Sequence, residues 1–235
     1  MGFYNIPKLR LAGLLMFTLE KFKKEYETNT TELILRGRKF HFLVPGKLDR
    51  FLHSDDPFKD FPLWSKPWEA SWVLADYLAG KEVEPDKHFL EIGAGMGLVG
   101  ITASCFGHNF TITEYNPHAI QFARANALLN DCMNLEITEL DWHSPSLRGS
   151  FDYIVGSEVT YKDEGYAPLH GLIKSFLKPS GKVILCSEVR KTAMVFFQQM
   201  QAFFDITAQK KTLRGDKDER HIVLGHMTFK DLTDA

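Results

Sequence analysis

The segment His88-Phe-Leu-Glu-Ile-Gly93-Ala-Gly95-Met-Gly97-Leu-Val-Gly100 decides the fold of this protein. In it a short apolar run leads into three alternate glycines, after which a helix is predicted over residues 97–106. A second apolar run, Ile112-Thr-Glu-Tyr-Asn116, ends on the acid Glu114. The order of strand, glycine-rich turn, helix and acid-tipped strand predicts an open α/β sheet. Such sheets bind ligands beyond the carboxyl ends of their strands.

Strands and helices are predicted to alternate on both sides of this segment. After a helix at about residues 67–80, strands are expected near 88–93, 109–114, 134–140, 151–157 and 181–188. This alternation indicates a parallel sheet with helices on both faces. Two further strand-like runs, at 204–213 and 221–229, are separated only by a polar turn and predict an antiparallel hairpin. The sheet should therefore have seven strands.

The first 56 residues are predicted to form an extension, and residues 57–235 the main domain, because a Pro-, Asp- and Phe-rich stretch at 57–67 separates them. An amphipathic helix near the start and a β-hairpin around Arg36-Gly37-Arg38 are expected in the extension. The first 19 residues carry basic but no acidic side chains, which leaves a mitochondrial address open. We expect the protein to be located in the cytoplasm.

Charge and cysteine usage exclude several classes of function. A formal net charge of -2 over 235 residues provides no global attraction for nucleic acid. No apolar stretch is long enough to span a membrane. Cys105, Cys132 and Cys186 lie far apart with no Cys-x-x-Cys pair, which argues against a zinc site, a redox pair or a disulfide framework. We expect a monomer without a metal.

The glycine turn satisfies the dinucleotide fingerprint only as a bare pattern, in Gly95-x-Gly97-x-x-Gly100. A dinucleotide site needs its first glycine directly after the strand. That residue is Gly93, and the third glycine would then fall at Leu98. Glu91, at the strand end, suits a pyrophosphate poorly but could contact the ammonium group of a methionyl moiety, directly or through water.

Glu114 is placed to accept hydrogen bonds from both hydroxyls of a ribose, as acids at this position do in nucleotide-binding α/β folds. Taken with Glu91, it indicates an adenosyl cofactor that carries a positive charge.

These residues resemble the cofactor-binding motif of seven-β-strand S-adenosylmethionine-dependent methyltransferases, and the resemblance extends from about residue 62 to 229. A narrower resemblance is to the protein-lysine methyltransferase branch that includes the valosin-containing-protein and electron-transfer-flavoprotein methyltransferases. It rests on these segments: Leu63-Trp64 with Trp68 and Trp72, Leu90-Glu-Ile-Gly-Ala-Gly-Met-Gly-Leu-Val-Gly100, Leu140-Asp-Trp142 and Gly156-Ser-Glu-Val-Thr-Tyr161. Met96 departs from the branch, which usually has threonine or a small residue there.

The resemblance implies a Rossmann-like seven-stranded methyltransferase sheet and S-adenosylmethionine as the cofactor. The residues implied to bind the cofactor are Trp64, Glu91, Gly93, Gly95, Gly97, Glu114, Asp141, Trp142 and Ser157. An acid-x-x-aromatic motif follows the fourth strand of the branch, and Glu158-Val-Thr-Tyr161 matches it. Glu158 is the implied catalytic residue that captures and orients the acceptor, and Tyr161 forms a wall of the acceptor channel.

Several functions remain open from the sequence. The leading hypothesis is methylation of a lysine side chain of a protein. A methyltransferase acting on a small molecule or on a protein histidine would have the same fold. A non-catalytic nucleotide-binding module is a third hypothesis, and a dinucleotide oxidoreductase is a fourth. Glu91 and the C-terminal hairpin weigh against the oxidoreductase.

Overall fold

The computed structural model describes residues 17–52, 61–132, 135–160, 163–214 and 219–230. The strands in these ranges are β1 Thr28–Leu35, β2 Arg38–Pro45, β3 His88–Glu91, β4 Asn109–Glu114, β5 Glu136–Glu139, β6 Phe151–Ser157, β7 Leu177–Glu188, β8 Phe204–Arg214 and β9 Glu219–Phe229. The α-helices are α1 Leu19–Glu25, α2 Glu69–Ala79, α3 Leu98–Cys105, α4 Pro117–Leu129, α5 Tyr166–Phe176 and α6 Lys191–Met200. None of these described helices is long and apolar enough to cross a membrane.

Seven of the strands form one sheet in the order β5-β4-β3-β6-β7-β9-β8. Strands β3 to β7 pair in parallel, whereas β9 runs antiparallel to both β7 and β8. The predicted α/β sheet with a C-terminal antiparallel hairpin is confirmed. The chain leaves β3 towards β4 and β5 on one side, then crosses to β6 on the other. A ligand crevice is expected at this switch point.

Alternate side chains of each central strand enter cores on opposite faces of the sheet. Phe89 and Val155 pack in the core beneath α2 and α3, whereas Leu90 and Ile154 pack in the core beneath α5 and α6. This is the period of two expected of a strand, and because both faces are covered, residues on both sides of the central strands are buried. The two cores hold the strand ends, and hence the crevice, in place.

Several predicted boundaries differ from the structure by a few residues. Helix α2 begins at Glu69, after the extended residue Trp68. Helix α5 ends at Phe176, and β7 starts at Leu177 and not near residue 181; its pairing with β6 shifts register between Leu177 and Lys182, on either side of Pro179. A proline is tolerated in a strand at such an irregularity. Trp72 of α2 is 39% exposed.

The N-terminal hairpin, β1 with β2, is confirmed and lies against α4. Asn126 accepts a hydrogen bond from the Leu43 N–H at 2.7 Å and donates to the Leu43 carbonyl at 3.2 Å. Asn130 makes the same pair of bonds with His41, at 3.0 and 2.7 Å. The two asparagines are one helical turn apart, and their partners are two residues apart in β2. The asparagine side chains therefore make the main-chain hydrogen bonds that a neighbouring strand would make with this edge of β2.

The cysteines differ from expectation. Cys105 and Cys132 are joined in a disulfide with their Cα atoms 6.4 Å apart. The argument from spacing against a disulfide is therefore wrong for this pair. The end of α3 and the residues after α4 come together because β3 and β4 are neighbours, and a sequence separation of 27 residues does not reveal this. Cys186 is free and buried.

Candidate active site

A cavity of about 840 Å³ opens at the carboxyl ends of the parallel strands. Its volume is within the range of small-molecule sites, about 300–1,000 Å³. Most of the residues predicted for the site line it: Trp64, Gly93, Gly95, Glu114, Asp141, Trp142, Ser157 and Glu158. Two predicted residues, Glu91 and Gly97, do not line it, and Tyr161 lies outside the described residues.

Glu114, at the end of β4, is held by three main-chain N–H groups. Oε2 accepts from Gly95 at 2.8 Å, and Oε1 accepts from Tyr115 at 2.8 Å and from Asn116 at 3.0 Å. These bonds tie the glycine turn to the start of α4, where Asn116 caps the helix and Pro117 is its first residue. The carboxylate therefore has a fixed orientation at the cavity wall, and Oε2, which accepts one N–H, retains a lone pair for a ligand hydroxyl.

Glu91 is 1% exposed and lies beneath the glycine turn. Its Oε2 accepts the Gly100 N–H at 2.8 Å, and a Cβ at position 100 would come within 2.5 Å of that oxygen, so glycine is required there. Burial raises the pKa of Glu91 to about 8 against the effect of this hydrogen bond, and the charge of Glu114 adds to the rise. The structure thus places Glu91 as a support of the turn. A contact with the cofactor through water stays a prediction.

Gly97 also acts within the turn. It is the N-cap residue of α3 with a φ of +80°, a conformation that glycine adopts without steric cost. A Cβ there would lie 2.9 Å from Cδ1 of Ile101. The predicted binding residue is thus a residue that lets the helix begin directly below the cavity.

Aromatic side chains form the wall opposite the glycine turn. Trp64 packs edge-on against Phe51 of the N-terminal extension, with ring centroids 4.9 Å apart, and contacts Phe122 of α4. Its Nε1 is buried without a hydrogen-bond partner among the described residues. Asp141 accepts the His143 N–H at 2.8 Å, which fixes the loop that carries Trp142. Sequence reasoning missed Phe51, since nothing in the pattern of the extension connects it with the site.

Glu158 follows β6 with a φ of +55°, a left-handed conformation that is uncommon for a residue other than glycine. Backbone strain of this kind is concentrated at functional sites. Its side chain is 14% exposed, and Oε1 accepts the Glu188 N–H at 2.7 Å. Burial raises its pKa, although the Glu188 N–H and the Arg190 charge act in the opposite direction. The carboxylate is therefore held rigidly at one end of the cavity.

Two polar residues near Glu158 were missed from the sequence. Ser71 of α2 lines the cavity, and its Oγ is 2.9 Å from Oγ of the predicted residue Ser157. Arg190 lines the cavity after β7, with Nη1 3.5 Å from Oε2 of Glu158. The signal that could have revealed Arg190 is its place just beyond the carboxyl end of a parallel strand.

The charges around the cavity are mainly negative. Among its described lining residues, four carboxylates face two basic side chains; these are Glu114, Asp141, Glu158 and Glu164 against Lys66 and Arg190. Such a site favours a ligand with a cationic group over a pyrophosphate. In the part of the chain that the structure describes, no cluster of His, Cys, Asp and Glu could hold a metal ion.

Comparison with known proteins gives a family match. A family described as "Lysine methyltransferase" matches residues 64–203, which is more than half of the chain. The match covers the glycine turn, the aromatic segment around Trp64 and the residues around Glu158.

Two curated relatives are lysine methyltransferases by name. Protein N-lysine methyltransferase METTL21A of Danio rerio is 33% identical over 131 residues, which is 52% of this chain and 60% of that protein. EEF1A lysine methyltransferase 3 of Mus musculus is 28% identical over 143 residues, or 58% of this chain and 61% of that protein. The chain thus spans about three fifths of the length of these relatives.

Solved structures share the fold. The N-methyltransferase NodS from Bradyrhizobium japonicum WM9, solved in complex with S-adenosyl-L-homocysteine, matches with a TM-score of 0.56 and 18% identity. The match covers 78% of this chain and 97% of that one. At this identity the likeness concerns the fold alone.

Proposed function

The chain belongs to the lysine methyltransferase family, and on that premise we propose that it transfers methyl groups from S-adenosylmethionine to a lysine side chain of a protein. The observation that carries the proposal is the meeting of Glu114 and Glu158 in one cavity. The first suits the ribose of the cofactor and the second suits an acceptor ammonium group.

S-adenosylmethionine fits the residues present. The cavity has the volume for an adenosyl ligand, and the excess of carboxylates suits its positive charges. Glu114 would accept hydrogen bonds from the ribose hydroxyls, and Asp141 and Trp142 would flank the adenine. Trp64 would border the ligand. When bound, this cofactor supplies an electrophilic methyl group on a sulfonium.

The protein's task is then to hold the acceptor nitrogen in line with that methyl group. Orientation of this kind can contribute on the order of 7–11 kcal/mol in favourable systems. A lysine has a pKa of about 10.4 in water and must lose a proton before it can attack. Glu158 binds the ammonium form and orients it, while partial burial of the site favours the neutral amine that reacts. Tyr161 is proposed as a wall of the acceptor channel.

Labelling in cell extract tests the acceptor. The protein is incubated with methyl-labelled S-adenosylmethionine and extract, and labelled proteins are analysed by mass spectrometry. We expect the label on lysine, and a strong loss of label with Glu158→Gln. Glu139→Gln is the matched control, because Glu139 is also a strand-end carboxylate but does not line the cavity. Label confined to small metabolites, or found on histidine, would overturn the lysine assignment.

Calorimetric titration tests the cofactor independently of the acceptor. We expect binding of S-adenosylmethionine and S-adenosylhomocysteine and no binding of nicotinamide dinucleotides. If neither adenosyl ligand binds, the proposed function is wrong. Binding without any methyl transfer would favour a non-catalytic module.

We further propose that the protein acts as a monomer in the cytoplasm, with residues 1–56 as an extension of the catalytic domain. These statements rest on the sequence composition and on the prediction of a single main domain. Light scattering would give the oligomeric state, and fractionation of cells would give the compartment. Enrichment in mitochondria would contradict the assignment.

A further inference from the structure

The guanidinium of Arg190 lies between two carboxylates at the acceptor end of the cavity. Its Nε and Nη2 donate to Oε2 of Glu188, at 3.1 and 2.6 Å, and its Nη1 is 3.5 Å from Oε2 of Glu158. Arg190 is also the N-cap residue of α6, so the helix fixes its main chain. Glu188 therefore anchors the guanidinium and directs one edge of it towards Glu158.

The two oxygens of Glu158 have different partners. Oε1 is taken by the Glu188 N–H, whereas Oε2 has only the longer ion pair with Arg190 among the described residues. A separation of 3.5 Å allows electrostatic attraction but makes a poor hydrogen bond. Oε2 is thus held in place while keeping its capacity to accept from a ligand.

Among the described residues, charged groups on β7, on α2 and at the start of α6 act on Glu158. The carboxylates of Glu188 at the end of β7 and Glu69 on α2 both oppose its ionisation, and the buried thiol of Cys186 lies close enough to interact with it. Arg190 is the basic group that favours ionisation. A buried carboxyl between two others would take up a proton readily without such a partner, and a neutral carboxyl attracts an ammonium group only weakly.

We infer that Arg190 is a positioning residue for methyl transfer. It keeps Glu158 ionised and holds Oε2 of Glu158 where that oxygen can accept from the acceptor ammonium. The inference rests on the proposed function and adds to it a residue that acts on the acceptor through Glu158. Arg190 acts through Glu158, and Glu188 acts through Arg190. The acceptor-binding group is therefore a chain of three side chains.

Substitution of Arg190 tests the inference with two readouts. The first is the titration of Glu158 in the protein without substrate, followed by NMR of carboxyl-labelled glutamate and assigned with Glu158→Gln. The second is the pH profile of methyl transfer to protein in dialysed cell extract. In Arg190→Gln, we expect the Glu158 titration and the acid limb of the transfer profile to move together to higher pH.

On the acid limb of the profile the rate of Arg190→Gln should fall below the native rate, because each pH unit by which the titration of a carboxyl moves upward lowers its ionised fraction there by about tenfold. It should recover towards the native rate at higher pH. Arg190→Lys should keep the Glu158 titration and the pH profile of methyl transfer close to those of the native protein. Arg36→Gln is the control, since Arg36 is about as exposed as Arg190 and its ion pair with Asp76 does not line the cavity.

An Arg190→Gln profile that is lower at every pH without moving along the pH axis would overturn the inference, as would an unchanged titration of Glu158. If Arg190→Gln does not fold, failure of Arg190→Lys to keep the native titration of Glu158 would overturn it instead. Absence of methyl transfer by the native protein would refute the proposed function alone, because the titration requires no substrate.

Discussion

Asn126 donates a hydrogen bond from Nδ2 to the main-chain carbonyl of Met96, 3.1 Å away, while the same amide pairs with both main-chain groups of Leu43. One buried side chain thus joins the N-terminal hairpin to the glycine turn. The hairpin, which lies outside the residues matched by the family, is therefore connected with the proposed cofactor site through α4.

Asn126→Ala should lower both stability and cofactor affinity. It leaves the Leu43 N–H and two carbonyls without partners, which we expect to cost about 2–3 kcal/mol of unfolding free energy. Urea unfolding and calorimetry with S-adenosylhomocysteine measure the two effects. Asn130→Ala is the control, because Asn130 holds the hairpin through His41 and makes no bond to the turn. Equal loss of affinity in both variants would contradict a specific role of the Met96 bond.

Glu114→Gln should weaken cofactor binding while the protein remains folded. Three N–H groups surround the carboxylate, and the amide NH2 of glutamine would face at least one of them as a second donor. Hydrogen bonds to charged groups are worth about 1.5–3 kcal/mol, so we expect a loss of about tenfold or more in affinity for S-adenosylhomocysteine. Calorimetry measures it, with Glu139→Gln as the control. Unchanged affinity would show that Glu114 does not bind the ribose of the cofactor.

Glu91→Gln should change how stability depends on pH. Folding raises the pKa of Glu91 from 4.5 to about 8, so the folded protein keeps a proton that the unfolded chain releases between these values. This contribution to stability falls as pH rises from 4.5 to 8. Glutamine resembles the protonated form and still accepts from Gly100, so the variant should gain stability relative to the native protein across this window.

The measurement is urea unfolding of both proteins, without ligand, at several pH values from 5 to 9. Other titrating groups cancel in the difference between the two proteins. A difference that stays constant over this range would mean that Glu91 is ionised in the folded state at all these pH values.

Asp152→Asn should destabilise the amino end of the sheet. Burial acts to raise the pKa of Asp152, but bonds from Lys178, the His88 N–H and Lys87 outweigh it and lower the pKa to about 2. Loss of these charge-assisted bonds should cost about 1.5–3 kcal/mol at pH 7. Because the folded pKa is depressed from 3.8, this contribution is present above pH 3.8 and disappears as pH falls towards 2.

Urea unfolding at pH 7 and pH 3 checks the prediction, and the cost of Asp152→Asn should be smaller at pH 3. Asp205→Asn replaces an exposed aspartate and should stay within about 0.5 kcal/mol of the native protein. A cost that is equal at both pH values would show that packing, and not charge, stabilises this site.

Trp142 should report cofactor binding by fluorescence. Trp64, Trp68 and Trp142 line the cavity, whereas Trp72 does not. We expect S-adenosylhomocysteine to change the tryptophan emission, and Trp142→Phe to reduce the amplitude of that change. Trp72→Phe should leave the amplitude unaltered. If Trp72→Phe removed the signal instead, the ligand would bind elsewhere.

Much of the fold was predictable from sequence because its signals are local. Alternating apolar runs, the helix start at Asn116-Pro117 and the polar break before β9 each report on residues close in the chain. The boundary at β7 was misjudged because Pro179 is usually a strand breaker, and only the register shift against β6 makes it acceptable. The disulfide of Cys105 with Cys132 was missed because spacing does not give distance.

By itself, the sequence determined the type of site. Glycines at the end of one strand and acids at the ends of two others converge in any parallel sheet, because their carboxyl ends share one edge. Tertiary structure alone decided what each residue does there. It placed Glu91 under the turn, brought Phe51 to Trp64 and set Arg190 against Glu158. These contacts depend on how the glycine turn, the helices and the extension pack on the sheet, which local sequence patterns do not give.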